Sequence, residues 1–294
     1  MSLSFTATAP GALATFNTTR RRVLVTGAAG NIGSYFATHS GEKYDLRLMV
    51  RPGEDASEIE GCGEIVAADL DDIAKLKDIC EGIDTIVHMA GDPDPSGTWK
   101  DIADANIHGV YHIMVAAKAA GCRRLIHASS IHAVSGYPAD MQVKTSDPVN
   151  PGDLYGVSKC FGEALGRYMA EKEGLSVICL RIGAFQPLQS VQDQENLRML
   201  DGFVSQRDLN QLIEKSIDVE SLQFAIFHAL SDNRFKRLDI TDARELVGYA
   251  PQDDAARELP GIKELHFEKN TTSHGAIVDG GKSGLREDLE ELKG

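Results

Sequence analysis

Cysteine is scarce and forms no motif: Cys62, Cys80, Cys122, Cys160 and Cys179 are odd in number and contain no C-x-x-C pair. That argues against a disulfide framework and reads as buried or incidental thiols in a reducing compartment, so a cytoplasmic location is expected. No apolar run approaches the roughly 18 residues of a membrane span, and none is expected. Positive charge is in deficit, with 30 Lys and Arg against 44 Asp and Glu and a net charge of −14. This balance argues against nucleic acid or an anionic membrane as a partner. The first twenty residues carry no acid and no apolar core of a secretory signal. Their Ser, Thr and Ala content fits a transit peptide, but the arginines cluster at Arg20-Arg21-Arg22 instead of spreading along an amphipathic helix. Residues 1–20 are therefore read as a disordered tail. Internal repeats are absent too.

What is present suffices for a sizeable core: 42% apolar and 25% charged residues in a chain of 294. Apolar runs mark strands near 22–26, 45–50, 64–67, 84–89, 123–128 and 176–181, and helices are expected near 31–39, 71–80, 98–120 and 153–173. This alternation predicts an α/β doubly wound parallel sheet of the Rossmann type, with the nucleotide-binding body over 21–183. Residues 184–294 are expected to form a smaller substrate-covering region and tail. Within it, 184–200 reads as a loop, Phe203 opens a helix to about 217, and Asp242 opens another. The ending from Arg286 to Lys293 reads as a solvated helix.

Two stretches carry chemistry. Gly27-Ala28-Ala29-Gly30-Asn31-Ile32-Gly33 follows the first apolar run directly. Glycines there permit a tight turn and let backbone approach a pyrophosphate at the start of a helix, where free N–H groups favour an anion. The spacing is G-x-x-G-x-x-G. Tyr155 and Lys159 stand four residues apart, on one face if the segment is helical. A lysine so placed is expected to lower the phenol's pKa and fit it for proton transfer to and from an alcohol or carbonyl.

In this order and separation the two stretches resemble the extended short-chain dehydrogenases/reductases, the NAD-dependent epimerase/dehydratase family, over about residues 21–255. Ala67-Ala68-Asp69-Leu70, Met89-Ala90-Gly91, Asn106, Ser129-Ser130 and Arg181-Ile182-Gly183 extend the likeness. Ser130 precedes Tyr155 by 25 residues, the separation usual in that family. The resemblance implies that Ser130 orients the substrate hydroxyl, Tyr155 is the acid/base, Lys159 tunes it and holds the nicotinamide ribose, and Asn106 serves a proton relay. It implies cofactor contacts from Gly27, Gly30, Asn31, Ile32, Gly33, Asp69, Leu70, Met89, Ala90, Gly91, Tyr155, Lys159 and Ile182. A possible homodimer follows from the resemblance alone.

The second strand ends with Val50 where an acid would accept the ribose 2′-hydroxyl of NAD, and Arg51 follows. That favours NADP; NAD, with Arg51 stacked on adenine, is the alternative. For the substrate, the text around Tyr155-Gly156-Val157-Ser158-Lys159-Cys160-Phe161-Gly162-Glu163 is similar to uronate dehydrogenases, which oxidise the anomeric hydroxyl of a hexuronic acid. His132 and Arg198 stand at sugar-contacting positions of that group, Arg198 as a carboxylate clamp. Asp94, Ile131 and Ala184 stand where the group has serine, asparagine and serine, which implies a sugar-like but altered substrate. The same triad serves nucleotide-sugar epimerases and dehydratases that keep NAD bound, and this is the alternative function. A cofactor-sensing protein without catalysis is a third reading, opposed by the intact triad.

Other signals have bland readings. His108 and His112 have metal-ligand spacing without an evident third ligand, so no metal is expected. Gly280-Gly281-Lys282-Ser283 lacks the leading glycine of a phosphate loop.

Overall fold

The computed structural model describes residues 20–192, 199–259 and 292. Arg198, the phosphate-loop-like stretch at 280–283, the charged ending apart from Leu292, and all but the last residue of the 1–20 tail lie outside the described residues.

Among the described residues seven strands form one parallel sheet: β1 (Arg22–Thr26), β2 (Asp45–Val50), β3 (Glu64–Ala67), β4 (Thr85–His88), β5 (Arg124–Ser130), β6 (Ser176–Ile182) and a seventh, Phe224–Ala229, in the order β3-β2-β1-β4-β5-β6-seventh. Val23 pairs with Leu46 on one side of β1 and with Thr85 on the other. Strand direction and order are those of a doubly wound sheet, and the order reverses between β1 and β4, where ligands gather at the carboxyl ends. The strands read as continuous apolar runs because both faces are covered. Val23 and Val25 point into a cluster with Phe36, Leu48, Val87 and Ile178, while Leu24 points into another with Leu76, Ile86, Ile113 and Leu125.

Helices α1 (Asn31–Ser40), α2 (Ile73–Cys80) and the long α5 (Leu154–Glu171) fall where the sequence places them. Asp72 caps α2 by accepting from the Lys75 N–H at 2.9 Å, and Asp153 caps α5 by accepting from the Gly156 N–H at 2.7 Å. The expected single helix over 98–120 is instead α3 (Trp99–Ile102), a π-helical stretch Ala103–Gly109, and α4 (Val110–Ala119). The expected loop over 184–200 is also corrected. Its start is β7 (Ala184–Gln186), which pairs in parallel with β8 (Phe203–Ser205), and α6 (Met199–Gly202) precedes that strand. The helix expected from Phe203 begins at α7 (Gln206–Asp218), capped by Ser205. The seventh strand of the main sheet, β9 (Phe224–Ala229), was not expected; α8 (Thr241–Val247) and α9 (Ala255–Glu258) follow it. Among the described residues no helix is long and apolar enough to cross a membrane.

Candidate active site

The carboxyl ends of the strands bring the predicted residues together. At the end of β1, Gly27 takes φ +66°, and a Cβ there would stand 2.8 Å from the Ala90 nitrogen, so both backbone conformation and space require glycine. Gly33 lets α1 pack on the turn: its Cβ would meet the Gly27 oxygen at 2.2 Å. A Cβ on Gly30 would meet only that oxygen, at 3.3 Å, and Gly30 caps α1 without a side-chain hydrogen bond. The first turn of α1 thus offers open backbone N–H groups to an anion.

Beside this turn lies a cavity of about 770 Å³ whose wall includes Gly27, Gly30, Arg51, Asp69, Leu70, Met89, Ala90 and Gly91. Eight of the predicted cofactor residues therefore share one space. The uncapped helix start and the glycine-lined turn fit a dinucleotide. Asn31 is exposed at the start of α1, Ile32 packs against the core, and Ile182 closes β6 opposite Ser130. His108 and His112 also line the cavity, and the His112 ring bonds the Leu70 carbonyl at 2.8 Å.

On the other side of Gly91 stands the triad. A Cβ on Gly91 would lie 3.6 Å from Lys159 Nζ and 2.7 Å from Asn106 Oδ1. Lys159 is buried, donates to the Ala128 carbonyl at 3.1 Å, and sits 5.2 Å from the centre of the Tyr155 ring. Burial draws the Lys159 ammonium down to about 8, opposed by the Asp92 carboxylate. Tyr155 departs from expectation. Burial pushes the phenol up to about 12, Asp153 and Asp92 add to this, and a hydrogen bond with Ser130 opposes it. The expected lowering by Lys159 is not found: desolvation sets the direction, and Ser130 is the group that opposes it.

Asn106 is held in the π-helical stretch, where its side chain ties two segments. Its Oδ1 accepts from the Asp92 N–H at 2.9 Å, and its Nδ2 donates to the Asp92 carbonyl at 3.0 Å and to Ser158 Oγ at 3.3 Å. It thereby locks the loop after β4 onto α5.

His132 stands edge-on to Tyr155, with ring centres 5.4 Å apart at 78°. Its Nδ1 meets Asp153 Oδ2 at 2.6 Å, which fixes the ring and leaves Nε2 to meet a ligand. Ile131 is placed in the apolar cluster with Val134, Val143, Leu230 and Leu238, facing the core and not a ligand. Ala184 opens β7 against Leu188, Val191 and Phe203. Asp94 accepts from the Ser96 N–H at 2.8 Å in an exposed loop.

Sequence reasoning passed over several residues. Asp153 could have been noticed as an acid before the first turn of α5, but its pairing with His132 is a tertiary fact. Glu54 and Asp92 border the cavity. Behind the triad, Arg181 donates to both oxygens of Glu163, at 2.8 and 2.9 Å, and Ser129 Oγ donates to the same carboxylate at 2.6 Å.

Comparison with known proteins agrees with this geometry. The uronate dehydrogenase of Pseudomonas putida is 34% identical over 236 residues, 80% of this chain and 85% of that one. The NAD-dependent glucose-6-phosphate dehydrogenase of Haloferax volcanii is 32% identical over 249 residues, 80% of this chain and 94% of that one. A mutant uronate dehydrogenase of Agrobacterium tumefaciens, solved with NAD, superposes with a TM-score of 0.73 at 31% identity, covering 86% of this chain and 89% of that chain. Residues 23–217 match the NAD dependent epimerase/dehydratase family. The chain belongs to that family, the extended short-chain dehydrogenases/reductases.

Proposed function

We propose that this chain is an NAD(P)-dependent dehydrogenase that oxidises the anomeric hydroxyl of a sugar or sugar acid to the lactone. The observation that carries this reading is Tyr155, beside Ser130 and with its ring centre 5.2 Å from Lys159 Nζ, on the far side of Gly91 from a cavity whose glycine-lined turn fits a dinucleotide. Relatives of similar identity are named for a uronate and for glucose 6-phosphate, which supports the sugar class and leaves its member to the pocket.

When bound, the nicotinamide supplies the acceptor for hydride from the anomeric carbon and a positive ring that favours the phenolate. Ser130 and His132 hold the sugar hydroxyls, the latter through the nitrogen that Asp153 leaves exposed. Tyr155 takes the hydroxyl proton as the carbon–hydrogen bond breaks. Lys159 holds its charge in a buried position and steadies the developing phenolate. Arg198, outside the described residues, is the group proposed to clamp a carboxylate.

A homodimer is supported by Val157 and Tyr168, exposed three turns apart on α5, and by exposed Tyr111 on α4. A cytoplasmic location is supported by five free thiols.

The test is a panel of aldoses and hexuronic acids with NAD or NADP, followed at 340 nm. Net absorbance gain with at least one sugar is expected, and an internally recycling epimerase would show none. Tyr155→Phe should lower turnover by about 10²- to 10⁴-fold with cofactor binding retained; unchanged turnover would reject the assignment.

A further inference from the structure

We propose that Glu54, four residues beyond the end of β2, makes this chain select NAD over NADP, taking the acidic role that Val50 leaves unfilled. The inference rests on the dehydrogenase reading of the same cavity and reverses the preference drawn from Arg51 alone.

A tight turn carries Glu54 back to the strand end. Pro52 and Gly53 occupy its two central positions, Gly53 takes φ +80°, and the Glu54 N–H donates to the Arg51 carbonyl at 3.1 Å. Proline followed by a left-handed glycine is the signature of a type II turn. The side chain then closes the turn a second time, because Glu54 Oε2 accepts from the Arg51 backbone N–H at 2.9 Å. This bond does not depend on where the arginine side chain points. The Arg51 guanidinium, 78% exposed, reaches the other carboxylate oxygen at 3.4 Å. An exposed pair of that kind holds weakly, so the guanidinium can leave while the carboxylate stays.

Charge in the cavity agrees. Six carboxylates line it, Glu54 and Asp69 among them, and Arg51 is the one arginine or lysine in its described wall. A ribose 2′-hydroxyl finds an acceptor in Glu54. A 2′-phosphate brings close to two negative charges at neutral pH against a carboxylate pinned by backbone, with a single arginine to receive it.

The experiment is a fluorescence titration of the full-length chain with NADH and NADPH in the absence of sugar, so it needs no turnover. The wild-type chain should bind NADH at least about tenfold more tightly than NADPH. Glu54→Gln keeps an acceptor for the Arg51 N–H but removes the charge, and should move the affinity ratio toward NADPH by about tenfold or more. Adding Arg51→Ala to that variant should abolish the gain. Glu54→Ala should move the ratio the same way. Displacement of NADH by 5′-AMP and by 2′,5′-ADP should rank as the dinucleotides do. A wild-type preference for NADPH, or a ratio unmoved in both Glu54 variants, would overturn the proposal. Binding of neither dinucleotide by the wild-type chain would instead remove the dehydrogenase reading beneath it.

Discussion

Glu163→Met should destabilise the fold by about 3–5 kcal/mol, because it leaves the charge of Arg181 buried without its partner. The two side chains are 4% and 1% exposed, and the guanidinium spends two hydrogen bonds, at 2.8 and 2.9 Å, on this one carboxylate. Its remaining contact among the described groups is the His228 ring at 3.4 Å, an imidazole that burial draws down to about 4 and therefore keeps neutral. Ser129 Oγ loses its acceptor as well. Against a total stability on the order of 5–15 kcal/mol, such a loss should lower Tm by roughly 10 °C. Replacing both partners, Glu163→Met with Arg181→Met, removes the stranded charge and should recover most of the loss. Denaturant titration by circular dichroism on the four members of this cycle measures the coupling. Glu163 also ties the helix carrying Tyr155 and Lys159 to β6 through Arg181 and to the strand carrying Ser130 through Ser129, so the single variant should lose kcat more than it raises KM. A single variant within about 1 kcal/mol of wild type, or a double variant equal to the sum of the singles, would refute the reasoning.

Two further outcomes follow from the same interior. Burial draws His88 down to about 3, His228 to about 4 and His127 well below its ordinary value, whereas an unfolded histidine titrates near 6.5. Between those values the unfolded chain binds more protons, so stability is full above about pH 6.5 and is lost as pH falls through the window. Each imidazole contributes about 1.4 kcal/mol per pH unit there, and denaturant midpoints at pH 7 and 5.5 should differ accordingly; equal midpoints would contradict it. Gly33→Ala would drive a methyl to 2.2 Å from the Gly27 carbonyl, so the turn must shift and NADH affinity should fall by about tenfold or more. Retained affinity in fluorescence titration would show that the turn does not hold the pyrophosphate.

The parts of the site legible in sequence are those whose chemistry is local. Gly27 to Gly33 sit between a strand and a helix that their own neighbours specify, and Tyr155 and Lys159 share one helix. The seventh strand is not legible locally, because Phe224–Ala229 is short and follows a helix, and only its partner β6 makes it a strand. The pairing of β7 with β8 joins Ala184 to Phe203 across an intervening segment, which no local periodicity records. Glu54 lies in a Pro-Gly-Glu-Asp run that reads as solvated surface until the turn folds it back. Spacing shows the cation beside Tyr155 but not how much water the phenol loses, and burial decides the direction of its shift.

The π-helical stretch Ala103–Gly109 separates the requirements of the two helical pieces beside it. Wider turns there absorb an additional residue, so α4 can face the sheet with Val110, Ile113 and Met114 while Asn106 still faces Asp92 and Ser158. A one-residue deletion that restored regular winding would spare the packing of α4 but swing the asparagine about a quarter turn off its partners. Length at this point of the chain is thus under a stricter demand than composition.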